Sequence, residues 1–404
     1  MRVLQVHNRY RELGGEDAVA AAEASMLEAA GHEVLQHYVS NPGGAAASVT
    51  AMAGAPWNPA SARAVAGTAA AWCPDIAHIH NTWFKLSPSV VTALHRAGIP
   101  VVVTLHNYRL VCVNALLFRN GQPCQDCVAT HPWAGVRHRC YRDSVSSSAV
   151  VATTLAVNRV RRTWLDHVDR FIAPTQMLRD VMVAGGLPPD RMVVRPHAVA
   201  DPGLRQSPPS RSATVLFVGR VSAEKGIDVL LDAWGLACPR SIKLVVVGDG
   251  PRRAELERRE VEGVTFSGWL PPEEVRRHLL TSRALVFPSL CYEVLPSAIL
   301  EAMAAGLPVL ASSHGGSAEL ASNLGTSWMA RPGDRADLAD GIDRLQDDVL
   351  VDVTGAAARR LYEQRYDTSL GLQTLLAVYD AARDHYRGPL ECGGGAMTFS
   401  RRQS

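Results

Sequence analysis

The sequence lacks any apolar run long enough to cross a bilayer, and its start, MRVLQVHNRY, lacks the basic and then apolar build of a secretory signal. A membrane-spanning helix needs about 20 mostly apolar residues, and a signal peptide joins a basic segment to an apolar one. The net charge is only +2 and no long basic run occurs, which argues against a nucleic-acid-binding protein. We therefore expect a cytoplasmic protein that does not bind nucleic acid.

Two motifs that mark common nucleotide-binding sites are also missing. No G-x-G-x-x-G occurs, so the Gly14–Gly15 pair after the first apolar segment is not a dinucleotide fingerprint. No D-x-D follows an apolar strand segment. If the chain binds a diphosphate, we expect protein cations rather than a divalent metal ion to neutralise it.

The composition is that of an ordinary globular protein, with 404 residues, 47% hydrophobic and 20% charged, and the length favours two domains. Apolar segments alternate with helical ones in both halves, which predicts two doubly wound α/β domains that face each other across a cleft. We place a first domain at 1–200, a linker at 201–213, a second domain at 214–368, a C-terminal helix at 369–388 that packs back on the first domain, and a flexible tail at 389–404.

The predicted strands locate the candidate site, because ligands bind such sheets beyond the carboxyl ends of the strands. In the first half the strands are 2–7, 32–39, 75–80 and 100–106, with none placed in 40–71; in the second half they are 214–219, 242–248, 264–268, 284–289 and 308–312. Helices are predicted at 226–236, 251–260, 272–281 and 296–305.

Two cations follow the first strand of the second half, in GRVSAEKGID. Arg220 stands at the strand exit and Lys225 just before the next helix. Arg can bind two phosphate oxygens at once and Lys acts as a point charge, so the pair suits a diphosphate. The alternative is a solvated surface loop.

The segment EVLPSAILEAMAAGLPV, at 293–309, predicts a helix that begins at Pro296. The first amides of a helix have no intrahelical partner, so the N–H groups of Ser297 and Ala298 could bind an anion. Glu301 lies in the first two turns and could accept from both hydroxyls of a ribose, while Glu293, in the loop before, could do the same for another sugar. The alternative for either carboxylate alone is a structural role, since the helix dipole favours negative charge near a helix N-terminus.

Other glycines and a histidine follow strands as well. Gly14 and Gly15 would let the backbone approach a ligand closely, and Gly248 closes a strand in VVVGDGP. His106 ends the strand VVVTLH, where it is either a site residue or a packed residue at the sheet edge.

Together these motifs resemble glycosyltransferase family 4, whose members are retaining enzymes of the GT-B fold. The resemblance is carried by GRVSAEKGID, VVVGDGP, FPSLCYEVLPSAILEAMAAGLPVLAS and GGSAE in the second half, and by GGED, DIAHIHN, TLHNYR and APT in the first. It covers nearly the whole chain to about residue 385.

The resemblance implies a role for each candidate residue. Arg220 and Lys225 would hold the donor diphosphate, Glu301 the nucleotide ribose and Glu293 the hydroxyls of the transferred sugar. The catalytic set would be His106, Glu293, Arg220 and Lys225; the donor-binding set would be Gly14, Gly15, Arg220, Lys225, Gly248, Ser297, Ala298 and Glu301.

The chain departs from the family pattern at two positions. Pro296 stands where many members have Gly, which leaves the amides of Ser297 and Ala298 available. His197, in RPHAVAD, stands at an interdomain position where Asn is common. The second departure leaves the details of the hinge open.

Cys112, Cys124, Cys127 and Cys140 lie within 29 residues, with C-x-x-C at their centre. Four thiolates could form a closed, tetrahedral structural zinc site. Reduced thiols without a metal and a disulfide are the alternatives, and the absence of a secretory signal favours a reducing compartment.

The segment 147–165 predicts an apolar helix whose end carries Arg159, Arg161, Arg162 and Trp164. Such a helix could rest on an anionic membrane that carries a lipid-linked acceptor. The simpler interpretation is a packed domain helix with a solvated basic end.

These features predict a metal-independent, hexosyltransferase-type enzyme that needs no cofactor and moves a sugar from a nucleoside-diphosphate sugar to a glycan or lipid-linked glycan. Its role would be polysaccharide or glycolipid biosynthesis, in the cytoplasm or at the inner face of the membrane. The rivals are a sugar-nucleotide epimerase of similar architecture and a non-catalytic scaffold that binds nucleotides. Release of nucleoside diphosphate only when an acceptor is present would separate the three.

Overall fold

A computed structural model of the chain describes residues 1–10, 14–128, 130–322 and 328–386. These residues form two α/β domains, each built on a six-stranded parallel sheet. The predicted fold class, two doubly wound domains, is confirmed.

The strands of the N-terminal domain are β1 (Arg2–Arg9), β2 (Glu33–Ser40), β3 (Ile76–Asn81), β4 (Val101–Thr104), the hairpin pair β5 (Phe118–Arg119) and β6 (Gln122–Pro123), β7 (Arg170–Ala173) and β8 (Met192–Val194). The sheet order is β2-β1-β3-β4-β7-β8, and β5 and β6 stand apart. Every residue of β3 and β4 is buried, as expected of parallel strands covered on both faces. The strand order reverses between β1 and β3, which opens a crevice at their carboxyl ends.

The helices of this domain are α1 (Gly15–Ala29), α2 (Ala45–Ala53), α3 (Pro59–Trp72), α4 (Ser89–Arg96), α5 (Trp133–Arg137), α6 (Val145–Val160), α7 (Thr163–Asp166) and α8 (Gln176–Ala184). The stretch 40–71, in which we placed no strand, holds α2 and most of α3. The single helix predicted over 147–165 is wrong. Arg162 takes a left-handed φ of 53°, and this turn separates α6 from α7.

The C-terminal domain repeats the architecture with different sequences. Its strands are β9 (Thr214–Val218), β10 (Lys243–Val247), β11 (Val264–Gly268), β12 (Ala284–Phe287), β13 (Val309–Ser312) and β14 (Met329–Ala330), in the order β11-β10-β9-β12-β13-β14. The first five match predicted strands, and β14 was not predicted. Here the reversal lies between β9 and β12, so a ligand crevice opens beside the exits of these two strands.

The remaining helices are α9 (Ile227–Ala237), α10 (Arg253–Glu257), α11 (Pro272–Thr281), α12 (Ser297–Ala304), α13 (Gly315–Ala321), α14 (Arg335–Arg344), α15 (Asp348–Arg365) and α16 (Thr368–His385); short 3-10 helices lie at Pro189–Arg191, Pro209–Arg211 and Ala223–Lys225. The helix predicted over 251–260 is confined to α10. No helix of the described residues combines the length and apolar character needed to cross a membrane.

The segment predicted as a linker, 201–213, packs against the C-terminal domain. The Arg205 guanidinium donates to the carbonyl oxygens of Leu279 and Ser282 at 2.9 and 2.6 Å, and burial lowers its pKa to about 10. The segment therefore has fixed contacts that its irregular sequence did not predict.

Helix α16 returns to the N-terminal domain. Its Leu375 and Tyr379 lie in one apolar cluster with Val3, Ile76 and Val102 of the first sheet. The last helix therefore ties the end of the second domain to the first. The predicted tail, 389–404, lies outside the described residues.

Candidate active site

The start of α12 lies at the crevice of the C-terminal sheet, after the loop that follows β12. Pro296 is the residue just before the helix rather than its first residue, a correction of one position. The first intrahelical bonds run from the amides of Ile299 and Leu300 to the Pro296 carbonyl oxygen. The amides of Ser297 and Ala298 thus have no partner within the helix, as predicted, and present positive potential to the crevice.

Glu301 lies one turn into α12 and is half-buried. Burial raises the pKa of its carboxyl, and a hydrogen bond from the Ser297 side chain partly opposes this shift. A carboxylate that is poorly hydrated and incompletely paired is suited to accept hydrogen bonds from a ligand diol.

Lys225 and Glu293 form an ion pair beside this helix start. The Lys225 ammonium donates to Glu293 Oε1 at 2.7 Å, and the side chains are 25% and 13% exposed. The Ser289 hydroxyl donates to the same oxygen at 2.6 Å. Burial acts to raise the pKa of Glu293, but Lys225, Ser289 and Cys291 outweigh it, and the net pKa is lowered. The pKa of Lys225 is raised, since Glu293 outweighs the effect of burial.

The backbone explains why these two residues meet. Gly226 has a φ of 71°, and a Cβ there would lie 2.0 Å from the Pro288 carbonyl oxygen. The Leu290 amide donates to the Glu224 carbonyl oxygen at 2.8 Å. The glycine after Lys225 therefore allows the loop after β9 to lie directly on the loop after β12.

Arg220 follows β9 at the same edge and its side chain is exposed. Gly248 lies at the exit of the neighbouring β10, with a φ of 135°, and a Cβ there would lie 1.9 Å from the Gly219 carbonyl oxygen. Close packing of two backbones is thus sufficient to require glycine at 248, whether or not a ligand lies there.

In the N-terminal domain, Gly14 and Gly15 stand where α1 begins. The Gly14 amide donates to Asp17 Oδ2 at 2.8 Å, and Asp17 Oδ1 lies 2.9 Å from His7 Nε2. A Cβ added at Gly15 would meet no atom within 4 Å, so open space lies in front of this residue. Residues 11–13 of the same turn lie outside the described residues.

His106 follows β4 and is half-buried. Its Nε2 lies 3.0 Å from His80 Nδ1, and its ring stacks on that of His197 with centroids 5.2 Å apart. Burial, and then the neighbouring His197, lower the pKa of His106 well below 6.5, so the ring is neutral near pH 7. The structure thus joins His106 to His197, the second position at which the chain departs from the family pattern.

Sequence reasoning missed a buried polar network behind His106. Glu23 Oε1 accepts from the Arg195 guanidinium at 2.5 Å, and Glu23 Oε2 lies 3.7 Å from both His78 Nδ1 and His80 Nε2. The H-x-H spacing in β3 was a usable signal, because alternate residues of a strand share a face.

In the part of the chain that the structure describes, Glu23, His78 and His80 are the only group of three or more His, Cys, Asp or Glu residues whose ligand atoms all lie within 4.8 Å of one another. His78 already has Tyr379 on Nδ1 at 2.8 Å and Thr104 on Nε2 at 2.7 Å. Arg195 pairs with Glu23 Oε1, so both ring nitrogens of His78 and one carboxylate oxygen of Glu23 have partners within the chain, whereas Glu23 Oε2 is buried without a hydrogen-bond partner.

The four cysteines of the predicted zinc site are free thiols. Burial, and then the thiols of Cys127, Cys112 and Cys124, raise the pKa of Cys140 to about 11. Cys124 follows the β5–β6 hairpin, and its amide donates to the Leu117 carbonyl oxygen at 2.7 Å. No three of these sulphur atoms lie within 4.8 Å of one another in the described structure, so the zinc site stays a prediction.

Comparison with known proteins identifies both domains. Residues 14–198 match the family model of a glycosyl transferase 4-like domain, and residues 212–348 that of glycosyl transferases group 1. The 2-deoxystreptamine glucosyltransferase of Streptomyces kanamyceticus is 30% identical over 293 residues, 69% of each chain. The amylovoran biosynthesis glycosyltransferase AmsK of Erwinia amylovora is 30% identical over 179 residues, 41% of this chain and 44% of that relative.

Solved structures of other proteins are similar to this chain over nearly its whole length. HepE of Anabaena, in complex with UDP and glucose, has a TM-score of 0.66 at 18% identity, over 94% of this chain and 100% of that one. The lipopolysaccharide outer core galactosyltransferase WaaB has a TM-score of 0.61 at 16% identity, over 94% and 99%. Two facing α/β domains of this kind define a GT-B fold.

The chain is thus a transferase of the glycosyltransferase class. It belongs to glycosyltransferase family 4, as the sequence motifs predicted.

Proposed function

We propose that this protein is a retaining glycosyltransferase that moves a sugar from a nucleoside-diphosphate sugar to a glycan or a lipid-linked glycan. The observation that supports it most is the Lys225–Glu293 pair, joined at 2.7 Å in the loop that leads into the open N-terminus of α12. A cation, a sugar-facing carboxylate and two unpartnered amides are the groups that a donor diphosphate and its sugar require.

The chemistry follows from the charge that develops on the leaving group. As the bond from the sugar to the diphosphate breaks, negative charge grows on the phosphate oxygens. Arg220, Lys225 and the amides of Ser297 and Ala298 would stabilise that charge without rearrangement. These groups would make a divalent metal ion at the diphosphate unnecessary, so activity should not depend on added Mg²⁺ or Mn²⁺.

The remaining residues would hold the two ends of the donor. Glu301 would accept from the ribose hydroxyls and Glu293 from hydroxyls of the transferred sugar. The open space before Gly15 would admit the donor phosphate to the backbone, with Gly14 and Gly248 at the margins of the same site. His106, neutral at pH 7, would lie beside the reacting sugar as a hydrogen-bonding group rather than as a charged acid.

The comparisons suggest which donors and acceptors to test. HepE was solved with UDP-glucose, which supports a uridine nucleotide as the first donor. The names of the relatives and neighbours include 2-deoxystreptamine, amylovoran and lipopolysaccharide, so the acceptor panel includes aminocyclitols, polysaccharide fragments and lipid-linked sugars. A role in polysaccharide or glycolipid assembly would place the enzyme in the cytoplasm or at the inner face of the membrane.

Release of nucleoside diphosphate tests the proposal. With UDP-glucose, GDP-mannose and related donors, release should accelerate strongly when a productive acceptor is present, and the product should keep the anomeric configuration of the donor. Release of nucleotide without acceptor and epimerisation of the donor sugar would favour an epimerase. Binding of nucleotide without any turnover would favour a scaffold.

A further inference from the structure

A carboxylate of the C-terminal domain caps a helix of the N-terminal domain. Glu319, in α13, accepts from the amide of Gln176 through Oε1 at 3.0 Å and from that of Met177 through Oε2 at 3.3 Å. These are the first two amides of α8, and the third, that of Leu178, bonds to the Thr175 hydroxyl at 3.3 Å. Three of the four amides that a helix start leaves open are therefore satisfied, two of them across the domain boundary.

Helix α13, which carries Glu319, also contacts the loop that carries Glu293. The Gly316 amide donates to the Glu293 carbonyl oxygen at 2.7 Å, and a Cβ on Gly316 would lie 2.1 Å from the Val294 carbonyl oxygen. His314, just before α13, lies with Nε2 3.1 Å from the Leu290 carbonyl oxygen. The start of α13 and the loop at 290–294 are therefore joined by close backbone packing and hydrogen bonds.

That loop also touches the N-terminal domain directly. Tyr292 and Val294 pack against the apolar core beneath the first sheet, on either side of Glu293. If the domains separate, both this packing and the Glu319 contacts must break together. The loop that carries Glu293 is thus held both by contacts of its own domain, through Lys225 and Ser289, and by packing on the N-terminal domain.

We propose that Glu319 is a positioning residue that couples closure of the cleft to the placement of Glu293. The inference rests on the proposed function, because Glu293 matters to the reaction only if it contacts the transferred sugar. Glu319 itself would touch neither the donor nor the acceptor. Its carboxylate would act through α13 and the loop at 290–294.

Hydrogen exchange of the whole protein, analysed by mass spectrometry, tests the coupling without any substrate. In E319A, amides of the peptide at 175–178 and of the peptide at 289–295 should both exchange about tenfold faster, because local opening becomes easier. In E319Q, the exchange rates of both peptides should lie between those of the wild type and E319A, since the amide oxygen of Gln can accept one bond but carries no charge. T175A removes the other cap of α8, so it should loosen 175–178 alone, and A184S, at an exposed position at the end of α8, should change neither.

Two exchange results would overturn the proposal. If E319A loosens 175–178 but leaves 289–295 unchanged, Glu319 only caps a helix. If it loosens neither, the contact does not hold the domains together in solution.

Kinetics distinguish this inference from the proposed function. With UDP-glucose and a productive acceptor, E319A should lower kcat about tenfold while the dissociation constant of UDP changes less than about threefold. An unchanged kcat would contradict the positioning role. If the wild-type protein transfers no sugar at all, the proposed function fails, and the exchange result still decides whether Glu319 controls the loop.

Discussion

Lys225 and Glu293 are joined at 2.7 Å although 68 residues separate them in the chain. One is a cation predicted to hold the leaving diphosphate, and the other is a carboxylate predicted to contact the sugar. In the proposed complex, their contact would place the leaving diphosphate next to the transferred sugar. It also means that each residue sets the charge state and position of the other.

Removing Lys225 or Arg220, the two cations proposed to bind the donor diphosphate, should lower turnover. Only the removal of Lys225 should also lower the unfolding free energy. K225A leaves the Glu293 carboxylate partly buried without its cation, and we expect a loss of about 1–3 kcal/mol in unfolding free energy. R220A removes an exposed side chain and should leave stability within about 0.5 kcal/mol. Both should lower kcat/KM by about 10² or more.

The matched control is K243A, since Lys243 is one of only three lysines in the sequence and is exposed at the start of β10. Steady-state kinetics and urea unfolding of the three variants supply both readouts. Unchanged turnover in K225A and R220A would remove the donor-site assignment.

The two glutamates should affect different parts of the donor. E301Q loses an acceptor for the ribose diol and should weaken bare UDP about tenfold in calorimetric titration. E293Q should leave UDP affinity within about threefold while lowering the rate of transfer, because its partner in the complex is the sugar. Equal weakening of UDP by both changes would show that this division of roles is wrong.

Acid should destabilise the N-terminal domain through its buried histidines. Burial lowers the pKa of His78 and of His197 to about 4, against 6.5 for an accessible histidine. Between pH 6.5 and about 4 the unfolded chain therefore binds protons that the folded chain does not, so stability is complete above pH 6.5 and falls below it.

Urea unfolding at pH 8, 7, 6 and 5 should show this fall. H197N removes one of the titrating groups and should make the dependence shallower, whereas H131N, at an exposed histidine, should not change it. A stability that is flat from pH 7 to pH 5 would contradict the neutral, buried state of these rings.

The cysteine segment should contain about one zinc ion per chain when the protein is purified without chelator. C124S together with C127S should remove the metal and depress transfer far more than UDP affinity, since the segment belongs to the N-terminal domain. C238S, at an exposed thiol of α9's end, is the control. Metal analysis and thiol titration decide the matter: no zinc and freely titrating thiols would leave ordinary reduced cysteines.

The sequence was sufficient to predict the fold class and the edge of each sheet where a site would lie. Apolar strands and the residues that directly follow them are local signals, so Lys225, Glu293, Glu301 and His106 could be chosen without coordinates. The direct contact of Lys225 with Glu293 could not be predicted, because it depends on Gly226 packing against the Pro288 backbone.

Contacts between segments far apart in the chain could not be predicted from the sequence either. Glu319 and Gln176 are 143 residues apart, and no local pattern marks a carboxylate that caps a helix of another domain. The tie from Tyr379 to His78 spans 301 residues. The glycine-rich GGSAE and the APT segment were recognised as motifs, but the structure alone shows that they meet.

The most direct measurement is hydrogen exchange of the full chain with and without saturating nucleoside diphosphate, using UDP, GDP, ADP and dTDP in turn. At least one nucleotide should protect the amides at 219–226 and those at the start of α12, including Ser297 and Ala298, and K225A should reduce that protection. Protection confined to other parts of the chain, or binding of none of the four nucleotides, would contradict a donor site at the Lys225–Glu293 pair.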